Sequence, residues 1–250
     1  MARCSVTALK CVLAAATGAV LAVAFAATAE ADEATLAAGA GFRRPLGELA
    51  AAFEKDSGHK ILQVYGHMGM VLAQARESGR VTLVCGDRAV LDGARGVAFG
   101  RMVPLGVGKL VVAYRKGVTL AKPEDLVRDD FKRIGIPDQA NAIYGKAGRQ
   151  FLERSKLAGK IDPKLVAVAT VPQVTSYVAS GEVDAGFVNA TDAIGMAGNI
   201  GGFVEVDPKL YDTVDVACGV VAAKESPVVD SFARFLATEP ARAILARYGL

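Results

Sequence analysis

From residue 32 onward, the chain alternates short apolar runs with longer segments whose apolar positions recur every three or four residues. Ala34 to Ala38, Lys60 to Tyr65 and Val81 to Cys85 have the length and texture of strands. Arg43 to Ser57 places Leu46, Leu49, Ala50 and Phe53 on one helical face, and Ser57-Gly58 ends that helix. A second helix is predicted from about Gly69 to Gly79, and a short one over Ala89 to Gly93 after Gly86-Asp87. Strands joined by helices at this spacing predict a parallel sheet, with ligands outside the carboxyl ends of the strands.

The texture then changes. Gly106 to Arg115 reads as one long strand, and Gly117 and Pro123 mark a break. A second series follows. Helices are predicted around Glu124 to Phe131, Tyr144 to Leu157 and Gln173 to Ser180. Strands are predicted at Arg133 to Ile136, Leu165 to Ala169 and Ala185 to Val188. Val214 to Ala223 is a late apolar strand, and helices over Val228 to Leu236 and Pro240 to Arg247 close the chain. The late strand is like the one that leaves the first series. This predicts an α/β protein of two lobes joined by two crossings: 32–116 plus 212–250, and 117–211. Such a protein closes on a ligand by hinge motion.

Residues 1–31 have a different character. Arg3 and Lys10 give a positive start, Val12 to Thr28 is uncharged and apolar, and Ala29-Glu30-Ala31 is a small-residue cleavage signal. This is a secretory signal peptide, with Asp32 expected as the first mature residue. A lysine beside Cys11 argues against a lipoprotein anchor. The apolar stretch is short for a membrane span. The mature protein is therefore expected to be soluble and exported to the periplasm.

The 250 residues are 52% hydrophobic and 22% charged, with a formal net charge of +3. Arg43-Arg44 and Lys132-Arg133 are isolated pairs, not the clustered basic face that nucleic acid requires. Of four cysteines, Cys4 and Cys11 leave with the leader. Cys85 and Cys218 lie in apolar runs, which fits one disulfide or two buried thiols.

Candidate chemistry concentrates at the strand–helix junctions. Tyr65-Gly66-His67-Met68-Gly69-Met70 turns from a strand into a helix, and Leu36-Ala37-Ala38-Gly39-Ala40-Gly41-Phe42 repeats that design. The first amides of a helix have no partner inside it, and the helix dipole favours an anion there. The catalytic inventory is poor. There are two histidines, His59 and His67, and no nucleophile elbow, zinc-protease helix or phosphate-binding loop. Neither an enzyme nor a resident cofactor is expected. A second use of the junction is soft-metal ligation by His67, Met68, Met70 and Cys85.

Several segments together resemble the periplasmic molybdate-binding proteins of ABC importers. Leu36 to Gly41 lies where that family has an Ala-Ala-Ser turn, and Gly66-His67-Met68-Gly69 where it often has Gly-Ser-Ser-Gly. Leu83-Val84-Cys85-Gly86-Asp87, Ala142-Ile143-Tyr144-Gly145-Lys146 and Gly181 to Val188 also resemble family segments. The resemblance implies two α/β lobes, each a mostly parallel sheet flanked by helices, with the cleft between them. It also implies a monomer that captures a molybdate- or tungstate-like oxyanion for a permease in the inner membrane. Position by position, the ligand contacts would fall on Gly41, His67, Met68, Asn141, Val171 and Asn189. Serine and tyrosine hydroxyls of the family pattern are missing there. A different solute, such as a soft metal ion or chelate, therefore stays open, as does a secreted enzyme on the same scaffold.

Overall fold

The computed structural model describes residues 32–250, which form one compact unit. The expected leader lies outside the described residues. In chain order the elements are β1 (Glu33–Gly39), α1 (Arg43–Ser57), β2 (Lys60–Gly66), α2 (Met68–Glu77), β3 (Leu83–Asp87), α3 (Arg88–Asp92), β4 (Phe99–Gly108) and β5 (Leu110–Tyr114). They continue with β6 (Ile134–Pro137), α4 (Ile143–Arg154), α5 (Ala158–Ile161), β7 (Leu165–Val168), α6 (Val171–Ser180), β8 (Ala185–Asn189), α7 (Ala190–Gly195), β9 (Gly202–Glu205), β10 (Val214–Val221), α8 (Pro227–Phe235) and α9 (Glu239–Arg247).

Two five-stranded sheets result, ordered β2-β1-β3-β10-β4 and β7-β6-β8-β5-β9. In each, three strands run parallel, a fourth pairs antiparallel with the third of them, and the edge strand pairs antiparallel with the fourth. The sheets are therefore mixed. Each parallel trio carries helices, and their junctions gather at the strands' carboxyl ends, as expected of this class.

The periodicity explains the packing. α1 buries Leu46, Leu49, Ala50 and Phe53, and Phe53 meets Phe232 of α8 edge to face at 5.1 Å. Gly58 closes α1 with φ of 75°, a left-handed conformation that glycine adopts without a Cβ penalty. In the second lobe Phe151 of α4 packs against Phe187 of β8 at 5.8 Å.

Three expectations change. The run Gly106 to Arg115 is not one strand. Gly106 and Gly108 pair with Val216 and Val214 in the first sheet, while Leu110 to Tyr114 pairs with β8 in the second. The chain thus changes sheet at Lys109, ahead of the expected break at 116. The second change falls between Glu205 and Val214. The helix expected over Glu124 to Phe131 is a 3-10 turn over Pro123–Val127, because Arg128 is extended there. Only Leu126 and Phe131 of its apolar residues are buried deeply, which leaves no helical face to bury. α7 and β9 are too short for periodicity to reveal, and in β4 three glycines and a proline interrupt it.

Cys85 and Cys218 form a disulfide across the paired strands β3 and β10, where the two residues stand directly opposite one another.

Candidate functional site

Four strand-to-helix junctions, two from each sheet, enclose a small cavity. Gly39 to Phe42 and Gly66 to Met68 come from the first lobe, and Ala142 to Tyr144 with Thr170 and Val171 from the second. The cavity is tight, with about 20 Å³ open to the centre of a water-sized sphere, room for a water molecule or a small ion. None of its lining residues is Lys, Arg, Asp or Glu.

The donors are backbone amides. The N–H groups of Gly41, His67, Ile143, Tyr144, Thr170 and Val171 donate to no loop carbonyl and to no side chain among the described residues. Each lies at the N-terminus of a helix, as cap or first-turn residue, or in the 3-10 turn Ala40–Phe42 that leads into α1. The N-caps of that turn, of α4 and of α6 make no side-chain cap bond. Thr170, the N-cap of α6, therefore keeps its hydroxyl free beside the Val171 amide. Unpaired amides at helix N-termini, on residues that line a cavity without fixed charge, suit a small anion.

The residues expected to hold a ligand divide into two groups. Gly41, His67, Met68 and Val171 line the cavity, and Asn141 and Asn189 do not. Asn189 is fully buried, and its Nδ2 donates to the Gly41 carbonyl at 2.9 Å. A Cβ at Gly41 would lie 3.0 Å from that amide, so glycine permits the contact. Asn141 is exposed at the rim, and its Nδ2 donates to Asp138 at 3.2 Å. Its carbonyl accepts from Met68 N at 3.1 Å, which joins the lobes and uses a helix-start amide. Hydrogen bonds from the Asn141 backbone and side chain and from the Ala140 backbone hold the Asp138 carboxyl below the usual carboxylate range.

His67 is the N-cap of α2, with Nδ1 accepting from Met70 N at 3.2 Å. That acceptor nitrogen is unprotonated, so only Nε2 can turn elsewhere. The Met68 side chain packs into the space that Gly86 leaves, where a Cβ would lie 2.7 Å from its sulfur. The soft-metal set does not survive. Cys85 is oxidised to a disulfide and offers no thiolate, Met68 is buried in packing, and Met70 lies at the surface over Gly66, 42% exposed.

Two features escaped sequence reasoning. Thr170 precedes Val171-Pro172, an N-cap and first-turn proline signature that marks the helix start. Tyr144 lines the cavity, and its ring meets Phe42 of the opposite lobe edge to face at 6.1 Å. Burial, with smaller contributions from Tyr211 and Asp87, raises the Tyr144 phenol above its ordinary pKa. Away from the cavity, Arg44 of α1 pairs with the buried Asp192 of α7 at 3.2 Å, and Thr175 donates to the other carboxylate oxygen at 2.5 Å.

The chain is 29% identical over 232 residues to the molybdate-binding protein of Azotobacter vinelandii, covering 90% of this chain and 92% of that one. It is 26% identical over 242 residues to the molybdate-binding protein of Rhodobacter capsulatus, covering 94% of each. The solved structure of the periplasmic molybdate-binding protein of Azotobacter vinelandii superposes with a TM-score of 0.77 at 24% identity, over 86% of this chain and 97% of that one. That structure shows the same two-lobed fold. Residues 34–250 match the profile described as bacterial extracellular solute-binding protein, and the chain belongs to that family.

Proposed function

We propose that this chain is the periplasmic capture component of an ABC importer, that it works as a monomer, and that its solute is a tetrahedral oxyanion of the molybdate or tungstate kind. One observation carries the reading: helix-start amides of both lobes, with no loop or side-chain acceptor, belong to residues that line a small cavity without Lys, Arg, Asp or Glu. A desolvated oxyanion needs nearly complete hydrogen bonding, and neutral N–H groups provide it without fixing a counter-charge. Thr170 adds a hydroxyl to a cavity that lacks the serine and tyrosine hydroxyls of the family pattern. The names of the Azotobacter and Rhodobacter relatives support the choice of anion.

In this reading the lobes move about the two sheet changes, around Lys109 and between Glu205 and Val214. Closure is completed by Asn189 with Gly41 and by Met68 with Asn141. The test is a thermal-shift and calorimetric titration of residues 32–250 with molybdate, tungstate, sulfate and phosphate. At a hundred times its dissociation constant the true solute stabilises the fold by about 2.7 kcal/mol. Molybdate and tungstate are expected to do so, and sulfate less. Absence of heat and of thermal shift with both metal oxyanions would remove this solute.

A further inference from the structure

Asn141 does not line the cavity, yet it joins the lobes. Its carbonyl accepts from Met68 N at 3.1 Å, so a residue of the second lobe satisfies a first-turn amide of α2 in the first. Its side chain follows the same path. A Cβ at Gly69 would lie 2.8 Å from Asn141 Oδ1, so glycine leaves room for the approach. The strand order sets this seam apart from the two crossings, which lead from β4 to β5 and from β9 to β10. β2, which leads into α2, is the edge of its sheet away from β10 and β4. β6, which leads to Asn141, is separated from β5 by β8. The seam therefore lies on the side of the cleft that hinge motion at the crossings parts.

Asp138 holds Asn141 in place. One of its carboxylate oxygens accepts from the amides of Ala140 and Asn141, each at 2.8 Å, and the other accepts from Asn141 Nδ2 at 3.2 Å. These bonds are internal to the second lobe and do not depend on the lobes meeting. The Asn141 carbonyl is thus aimed at α2 in advance. Closure then escapes the entropy cost of ordering a loose loop, which is how preorganisation raises affinity. We propose that Asp138 is a positioning residue of solute capture: it presets the loop 138–141 so that Asn141 clasps α2 when the cleft closes, and it slows release from a cavity that Asp138 itself does not line. The role rests on the solute-capture reading, and the clasp itself is tested without solute.

Two variants test it, one in each lobe. In solute-free Asp138→Ala, amide hydrogen exchange by NMR should speed up at Met68 relative to Val71, whose amide donates to His67 within the first lobe. Molybdate should leave this variant faster and bind it about three- to tenfold more weakly. Asp138→Asn keeps an oxygen for the two amides and should recover part of the loss. Gly69→Ala presses on Asn141 from the other side. Alanine favours a helix over glycine, so the solute-free melting temperature should hold or rise while molybdate affinity falls. A merely structural role would move stability and affinity together. Unchanged Met68 exchange in Asp138→Ala would overturn the proposal. Molybdate affinity equal to a measurable wild-type value in both alanine variants would overturn it too. If molybdate does not bind wild type, the oxyanion reading fails, and the exchange comparison alone still decides the role of Asp138.

Discussion

The two lobes share one strand plan and fasten it by different means. In each, a parallel trio is completed by an antiparallel strand at its third member: β10 against β3 in the first lobe, and β5 against β8 in the second. The first pair is fastened covalently by Cys85 and Cys218. The second carries at its end an ion pair, Arg115 to Asp184 at 2.9 Å. Asp184 also accepts from the amides of Lys132 and Arg133 at 2.8 and 3.0 Å. The lobes also differ at the cavity. The first offers the amides of Gly41 and His67, whereas the second offers those of Ile143, Tyr144, Thr170 and Val171 with the Thr170 hydroxyl. One plan thus serves as a stapled wall on one side and a donor-rich wall on the other.

The largest expected effect tests the staple. Replacing both cysteines by serine, or reducing the disulfide, should cost about 2–4 kcal/mol in denaturant unfolding, because the bond closes a long loop in the unfolded chain. A loss below about 1 kcal/mol would mean that the first lobe holds its strands without the bond, as the second does.

Asp184→Asn tests the other fastening, with an expected loss of about 1.5–3 kcal/mol. Burial raises the Asp184 pKa, but hydrogen bonds from Arg115, Arg133 and Lys132 outweigh it and leave the carboxyl below its ordinary range. A depressed folded-state pKa stabilises the fold above the unfolded value and loses that stability as pH falls through the folded value. Wild type should therefore weaken relative to the variant as pH drops below the usual carboxylate range of about 4. Parallel pH profiles for the two proteins would contradict this account.

The donor asymmetry is sharpened by a pair of variants. Thr170→Val should lower molybdate affinity roughly tenfold, as the loss of one bond to a charged group. His67→Ala should remove a helix cap worth about 1 kcal/mol of stability while lowering affinity less than Thr170→Val does. Titration finding the reverse order would return His67 to the centre of the site.

Most of the architecture was legible because strands and helices here carry clean periods, as in α1 with its buried Leu46, Leu49 and Phe53. The site was partly legible for the same reason: glycine turns and helix starts announce free amides, and Gly41 and Val171 do line the cavity. Side-chain commitments were not legible. Asn189 reads as a free amide until the lobes meet and Gly41 takes its hydrogen bond. The partnership of Cys85 with Cys218 depends on the register of two strands far apart in sequence. The change of sheet at Lys109 is marked only by Gly106, Gly108 and the lysine itself, within a run otherwise apolar on both sides.

The place of β10 between β3 and β4 also sets an order of assembly. Every strand of the second sheet lies within one uninterrupted stretch, Leu110 to Glu205, so that lobe can form from neighbouring segments alone. The first sheet lacks an inner strand until Val214–Val221 arrives. Until then β3 and β4 have no strand between them, and β3 shows a bare edge, the kind of surface that invites pairing with other chains. The last strand to emerge is therefore the one that seals the first lobe, and the cysteine it carries cannot find its partner any sooner.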